Sequence, residues 1–329
     1  QNNNRYTIED VYSLYDKHLY DECIRGIHQI IDRDTSDRLS SNLFLLISQC
    51  HYNIKNYGLS HKYLKKRIEI IKGISDIKLA NTYSFAGILS RKLKKYKLSI
   101  SYYKKSNDIY KKLRLYKKID KNNLNISLLY LDLLNYDKAI SLLFSIIDRS
   151  DDNKLKSTCH FNIAFINEKI KKHIVSIYHY KKAISLTNNK SLLIPSIINI
   201  ANCNLVLGFY DNAMKYCNLA DSINHNLYQF FSIKSIYIKG LILYRKKKLF
   251  NSYKHLLVCD SIFKHHVKKI VLESDKYRFL TNNIYNLLID ISYELYQKTS
   301  ENKYRNNVLF YMDIGKYTIT DGKKHNIDF

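Results

Sequence analysis

A large residue followed three positions later by a small one recurs along this chain: Tyr20/Cys23, Tyr57/Ser60, Tyr96/Ser99, Tyr136/Ala139, His173/Ser176, Tyr210/Ala213, Leu249/Ser252 and, more weakly, Tyr304/Asn307. Successive steps are 37, 39, 40, 37, 37, 39 and finally 55 residues. A near-constant period in this range marks one supersecondary unit that cannot bury its apolar face alone and stacks on copies of itself. The period predicts a solenoid. Such a fold offers a long surface to a partner and seldom a catalytic cleft.

Around the fourth pair, residues 123–130 and 136–143 each space their apolar side chains by three and four, as two amphipathic helices joined by a short turn would. The same layout fits 197–204 with 208–213, 83–87 with 96–103, and 236–240 with 249–256. Pro195 is the single proline, glycines number eight, and no Ser/Gly-rich or Pro-rich stretch reads as a linker. Nearly all of the 329 residues can therefore be helical, without a domain break. The final 55-residue step implies a longer first helix near 277–296, an irregular turn through 298–303 and an atypical capping unit.

Twelve residues before the small member of each pair stands another small residue, Gly87, Ser127, Ala164, Ala201 and Gly240 in five consecutive units. With these two small sites and the aromatic between them, the chain resembles the tetratricopeptide repeat family. Small side chains at both sites let paired helices approach closely. The resemblance covers roughly residues 7 to 320 and implies an all-α, right-handed α-α superhelix of seven to eight helix-turn-helix repeats. Their approximate bounds are 7–34, 41–71, 80–113, 120–150, 157–188, 194–224, 233–264 and 276–320, the last acting as a cap. The spacing exceeds the family's common 34 and the Pro that usually ends a repeat is missing; longer repeats of this kind resemble those of bacterial regulators and sensor proteins.

In this family the first helix of each repeat lines the concave wall. That places Asn125, Asn162 and Asn199 at one inner position, 37 residues apart, where carboxamides can donate to and accept from an extended peptide backbone. The family's carboxylate-clamping variant uses Lys and Asn on one helix, Asn on the next, and Lys and Arg on a third. Lys121 with Asn125 match the first helix and Asn162 the second, but the third offers Pro195 and Asn199, so the basic pair is missing. The same wall would carry Phe85, Phe161, Phe165, Asn202, Tyr237 and Tyr244, with Arg91, Lys92, Lys169, Lys234 and Arg245 near its edges. Aromatics flanked by cations suit a peptide with apolar anchors and acidic residues, or a single-stranded nucleic acid. Half of these aromatics are expected in the repeat-to-repeat core.

Lys and Arg total 54 against 29 Asp and Glu, a net charge of +25. The lysines fall beside Tyr, Leu and Ile at helical spacing, as solvated outer faces do, and no nucleic-acid motif accompanies them. An acidic protein or peptide fits this balance better than nucleic acid. The six cysteines, Cys23, Cys50, Cys159, Cys203, Cys217 and Cys259, lack the paired spacing of a disulfide framework or zinc knuckle and read as core.

No catalytic constellation emerges. His255 and Cys259, with Asp260, His265 and His266 nearby, are the one grouping with metal-ligand types, but Cys259 falls on a packing position. Cys50-His51 and Cys159-His160 are chain neighbours that diverge by about 100° on a helix, so neither forms a nucleophile–base couple. Without a glycine-rich phosphate loop or paired carboxylates, the expectation is a non-enzymatic protein or peptide-binding module with no cofactor. It would sense or scaffold in a bacterial regulatory protein. The alternatives are a cytoplasmic peptide-responsive transcriptional regulator lacking its DNA-binding part, and a purely structural scaffold. No apolar run of 18 residues is present, so this segment is not expected to insert in a membrane. A chain beginning Gln-Asn-Asn-Asn reads equally as a product of signal-peptide removal, hence exported, or as a trimmed cytoplasmic protein.

Overall fold

The second helix of a hairpin can lie against the first only where both surfaces are shallow, and the small residues read from the sequence are that surface. The structure, a computed structural model, describes residues 6–33, 36–73, 76–225, 228–266 and 275–316. Every regular element among them is an α-helix. The chain divides into two units, residues 1–151 and 152–329. Unit 1 holds four hairpins: α1 (Ile8–Asp16) with α2 (Tyr20–Ile31), α3 (Asp37–Asn53) with α4 (Tyr57–Ile71), α5 (Ile77–Lys92) with α6 (Tyr96–Lys112), and α7 (Tyr116–Asp132) with α8 (Tyr136–Arg149). Unit 2 holds α9 (Asn153–Lys169) with α10 (His173–Ser185), α11 (Lys190–Val206) with α12 (Tyr210–Asn224), α13 (Gln229–Arg245) with α14 (Leu249–His266), and α15 (Asp275–Thr299) with α16 (Asn302–Lys316). Within each unit a helix packs on the helices before and after it, the all-α pattern of a right-handed α-solenoid.

The residue that opens each recurring pair is the first residue of a second helix from α2 through α14. The small partner three positions on faces the first helix. Where it is Ser or Cys it donates to the main-chain carbonyl twelve residues earlier: Ser60 to Ser48 O at 2.8 Å or less through reciprocal bonds, Ser99 to Gly87 O at 2.6 Å, Ser176 to Ala164 O at 2.9 Å, Ser252 to Gly240 O at 2.7 Å and Cys23 to Val11 O at 3.2 Å. A second seam recurs at a separation of 26, where Ser106 donates to Ala80 O at 2.8 Å and Ser157 to Ala183 O at 2.7 Å. At that seam the buried Arg67 donates through Nη1 to Ser41 O at 2.5 Å and through Nε to Thr82 Oγ1 at 3.0 Å. The glycines mark the closest approach: a Cβ on Gly87 would lie 2.8 Å from the Tyr103 ring, and one on Gly240 2.8 Å from Leu256.

All eight hairpin turns place a residue at positive φ two positions before the second helix: His18, Lys55, Lys94, Leu134, Lys171, Gly208, Lys247 and Ser300. In each of seven, the next N–H returns to a carbonyl five residues back, as Asn56 to His51 O and Asn135 to Tyr130 O, both at 2.8 Å. Only one of the eight is glycine. The last turn differs from the expected irregular stretch through 298–303: α15 stays helical to Thr299 and Ser300 with Glu301 make the whole connection. Ser300 is left-handed like its counterparts, but Glu301 N–H donates to Thr299 Oγ1 at 3.3 Å in place of the carbonyl five residues back. All six cysteines are buried free thiols, and no described helix is long and apolar enough to cross a membrane.

Gly87→Ala is expected to lower stability by about 1–3 kcal/mol, because Tyr103 is enclosed and must yield. Urea denaturation measures this, and adding Tyr103→Leu should recover part of the loss. Conversely Leu134, 70% exposed at φ 57°, gains from Gly. Leu134→Gly should raise the unfolding free energy by about 1 kcal/mol as left-handed strain is relieved.

Candidate functional site

First helices crowd together on one side of unit 2. There α9 touches α11, α11 touches α13 and α13 touches α15. The tighter spacing makes theirs the inner face, and residues at the inner positions converge on it.

A chain of hydrogen bonds crosses this face. Lys234 Nζ on α13 donates to Asn199 Oδ1 on α11 at 2.9 Å, and Asn199 Nδ2 donates to the Tyr180 hydroxyl on α10 at 3.0 Å. Tyr180 donates in turn to Glu168 Oε2 on α9 at 3.0 Å, and Asn202 Nδ2 donates to Glu168 Oε1 at 3.0 Å. An ammonium thus stands at one end and a carboxylate at the other, so each bond polarises the next. Tyr180 is fully enclosed, with its ring edge against Phe161 at 5.5 Å between centroids. Burial, then the neighbouring Glu168 charge, raises its hydroxyl pKa far above the usual phenol range. The same two causes push the Cys203 thiol up to about 12.

The inner residues expected from the sequence are brought together in part. Asn199 is 8% exposed and both halves of its amide are occupied, so it supports the relay from behind. Asn162 is half-buried and makes no hydrogen bond among the described residues, and Asn202 uses only its donor end. Phe165 is half-buried beneath the Lys169 ammonium, 5.2 Å from its centroid. Tyr237 packs on the cores to either side, and the Tyr244 hydroxyl donates to Glu294 at 2.5 Å. Burial and then Glu294 push the Tyr244 hydroxyl up to about 12. Arg245 is exposed.

Asn125 belongs to unit 1. It lines a hollow of about 380 Å³ with Ile88, Arg91, Lys92, Tyr96 and Asp132, where Arg91 Nε reaches Asp132 at 2.7 Å. Lys121 is exposed on the same helix, and Phe85 is half-buried, its ring edge on Tyr52 at 5.6 Å. None of the five inner aromatics is fully enclosed, although four pack partly on core clusters. Glu168 and Tyr180 escaped sequence reading. Tyr180 sits on a second helix, where an aromatic reads as packing, and Glu168 stands at a lining position whose occupants vary from repeat to repeat. Of the metal-ligand types near His255, Cys259 points to Ile233 O at 3.8 Å and Asp260 accepts from Tyr285 at 3.2 Å. The side chains of His265 and His266 lie outside the described residues.

No protein-family model matches the sequence, and no curated protein matches it. Solved structures do resemble it in fold. The apo form of the quorum sensor NprR from B. thuringiensis aligns at 14% identity and TM-score 0.67, over 92% of this chain and 83% of that one. The apo form of RapI aligns at 14% identity and 0.58, over 84% and 99%. A Rap protein complexed with competence and sporulation factor aligns at 15% identity and 0.54, over 92% and 80%. Likeness at these identities is a likeness of fold: a solenoid of repeated helix-turn-helix units like those of these three structures.

Close behind the Phe161 turn of α9, His160 and His179 approach through Nδ1 at 3.0 Å with their rings stacked at 5.3 Å. Burial, then His160, brings the His179 pKa down to about 4, and burial with Lys182 and Lys156 lowers that of His160. The fold therefore favours neutral His179 while the unfolded chain binds a proton near pH 6.5. Stability is full above that pH and falls toward pH 4, at a limiting slope of about 1.4 kcal/mol per unit. Urea midpoints should drop over this window, and His179→Gln should flatten the slope.

Proposed function

We propose that the inner face of unit 2 holds an extended peptide or protein segment, and that the chain is a non-enzymatic sensing or scaffolding module of a bacterial regulatory protein. The observation that carries this reading is the polarised chain from Lys234 to Glu168, which fixes Asn202 with its acceptor end open, while Asn162 on the neighbouring first helix makes no hydrogen bond among the described residues. Two carboxamides on neighbouring first helices can then receive and donate main-chain hydrogen bonds whatever the ligand's sequence. Phe161, Phe165 and Tyr237 supply apolar contact around them, and Lys234 with Lys169 favours acidic residues in the ligand. Asn125, with Lys121 on the same helix, is proposed to make contacts of the same kind on unit 1.

The fold likeness to a quorum sensor and to a Rap protein complexed with a factor supports a binding role. The chemistry of the thiols supports it too. Burial as the leading cause pushes Cys203, Cys217 and Cys259 up to about 12, so these three stay thiols at neutral pH; Cys23, lowered by its hydrogen bond with Cys50, is enclosed in the core.

Selection of a phage-displayed random peptide library on the purified chain should enrich specific sequences. By fluorescence anisotropy, Asn162→Ala with Asn202→Ala should weaken the selected peptides about tenfold or more, roughly 1.4 kcal/mol, while the chain still melts in one cooperative transition. No enrichment, or equal affinity in the variant, removes the inner face as the site.

A further inference from the structure

A second concavity lies on unit 1. It is a cleft of about 540 Å³ walled by α6 and α8 and floored by α7. The floor is apolar at Ile126 and Tyr130, with Leu142 on the α8 wall. A volume of this size suits a small organic ligand.

The sequence accounts for the opening. Counted from the first residue of each second helix, the sixth and tenth positions are Lys62 and Lys66 in α4, Tyr178 and Lys182 in α10, Lys215 and Leu219 in α12, and Lys254 and Val258 in α14. In α8 both are serine, Ser141 and Ser145, and both line the cleft. In α2 the two positions are Arg25 and Gln29, and α6 pairs Ser101 with Lys105, so among α2 to α14 only α8 is short at both.

Polar groups stand around this apolar floor. Lys104 on the α6 wall and Lys138 on the α8 wall make no ion pair among the described residues, and Lys138 Nζ lies 5.9 Å from the Tyr130 centroid. Asn123 accepts from Asn107 Nδ2 at 2.9 Å, an orientation fixed by Asn122 donating to Asn107 Oδ1 at 2.9 Å. The Asn123 Nδ2 is left as a free donor on the floor. Asp137 at the rim is the one carboxylate lining the cleft.

We propose that this cleft binds a small amphipathic anion, an aromatic or aliphatic body carrying a carboxylate or sulfonate. The body lies on Ile126, Tyr130 and Leu142. The anionic group takes the ammonium groups of Lys104 and Lys138 and the Asn123 amide, in charge-assisted bonds stronger than neutral ones. Asp137 sets a preference for a single negative charge over a polyanion.

Anilinonaphthalene sulfonate serves as the anionic probe and uncharged phenylnaphthylamine as its control, both followed by fluorescence. The wild-type chain should bind the sulfonate saturably. Ser141→Lys with Ser145→Lys, which installs the residues α4 carries at these positions, should weaken both dyes at least about tenfold. Lys104→Gln with Lys138→Gln, two surface changes that leave the packing intact, should weaken the sulfonate about fivefold or more and the neutral dye less than about twofold. Absence of saturable binding, or equal affinity in the serine variant, overturns the site. If the lysine variant affects neither dye, or both alike, the anionic class is overturned. Asn162→Ala with Asn202→Ala should leave both dyes unaffected, which separates this cleft from the inner face.

Discussion

The distance of closest approach between two helices in one hairpin governs the whole arrangement. From α3 through α14 it is set at one place, where a small residue near the start of the second helix meets a small residue late in the first, twelve positions earlier. The side-chain hydroxyl then bonds a main-chain carbonyl that is already accepting within its own helix, as Ser99 does to Gly87 and Ser252 to Gly240. A carbonyl oxygen has two acceptor sites, so this extra bond satisfies a buried hydroxyl without disturbing the helix. In the repeats with Ala139 and Ala213 the same approach occurs without the bond. The seam therefore depends on small size, and the hydroxyl is an addition that fits the space.

That dependence explains how much of the fold could be read in advance. Tyr57, Tyr96, Tyr136, His173, Tyr210 and Leu249 each begin a second helix because the recurring pair is itself the hairpin's contact point. The turns were not legible. Their left-handed residue is Lys, His, Leu or Ser in seven of eight cases, so the glycine that normally signals such a turn is absent. Closure is enforced by the two packed helices, which override the local preference of the turn residue. The connection near residue 300 is shorter than the step length suggests, because the extra residues lengthen α15 and leave only Ser300 and Glu301 between the helices.

The candidate site was legible by position and illegible by chemistry. The spacing of 37 put Asn162 and Asn199 on equivalent sites of neighbouring first helices, yet the two amides do different things. Asn199 is captured because Tyr180 rises from the second helix to meet it and Lys234 arrives from the next repeat. Repeat position fixes where a side chain starts; its partners come from three helices whose residues vary independently. Glu168 illustrates the point. It occupies the inner position held by Arg91 on α5 and Tyr244 on α13, so the repeat pattern gives no expectation of a carboxylate there.

Charge makes the same distinction at longer range. A net +25 draws anions toward the whole molecule, and at physiological ionic strength that attraction decays over about 8 Å, too short to choose among sites on a solenoid. Selection has to come from local balance. On the inner face of unit 2, neutral groups hold both charges, Tyr180 and Asn202 on Glu168 and Asn199 on Lys234, so opposite charges stand at the two ends of one hydrogen-bonded chain. A main chain, itself dipolar and neutral, matches such a surface. In the cleft of unit 1 the cations face an apolar floor with a single carboxylate at the rim, and the match is an amphipathic anion. The two surfaces differ in which helix supplies the variable residues. First helices present side chains tied by cross-repeat hydrogen bonds, whereas Ser141 and Ser145 on α8 open space without disturbing either seam that holds the repeats together.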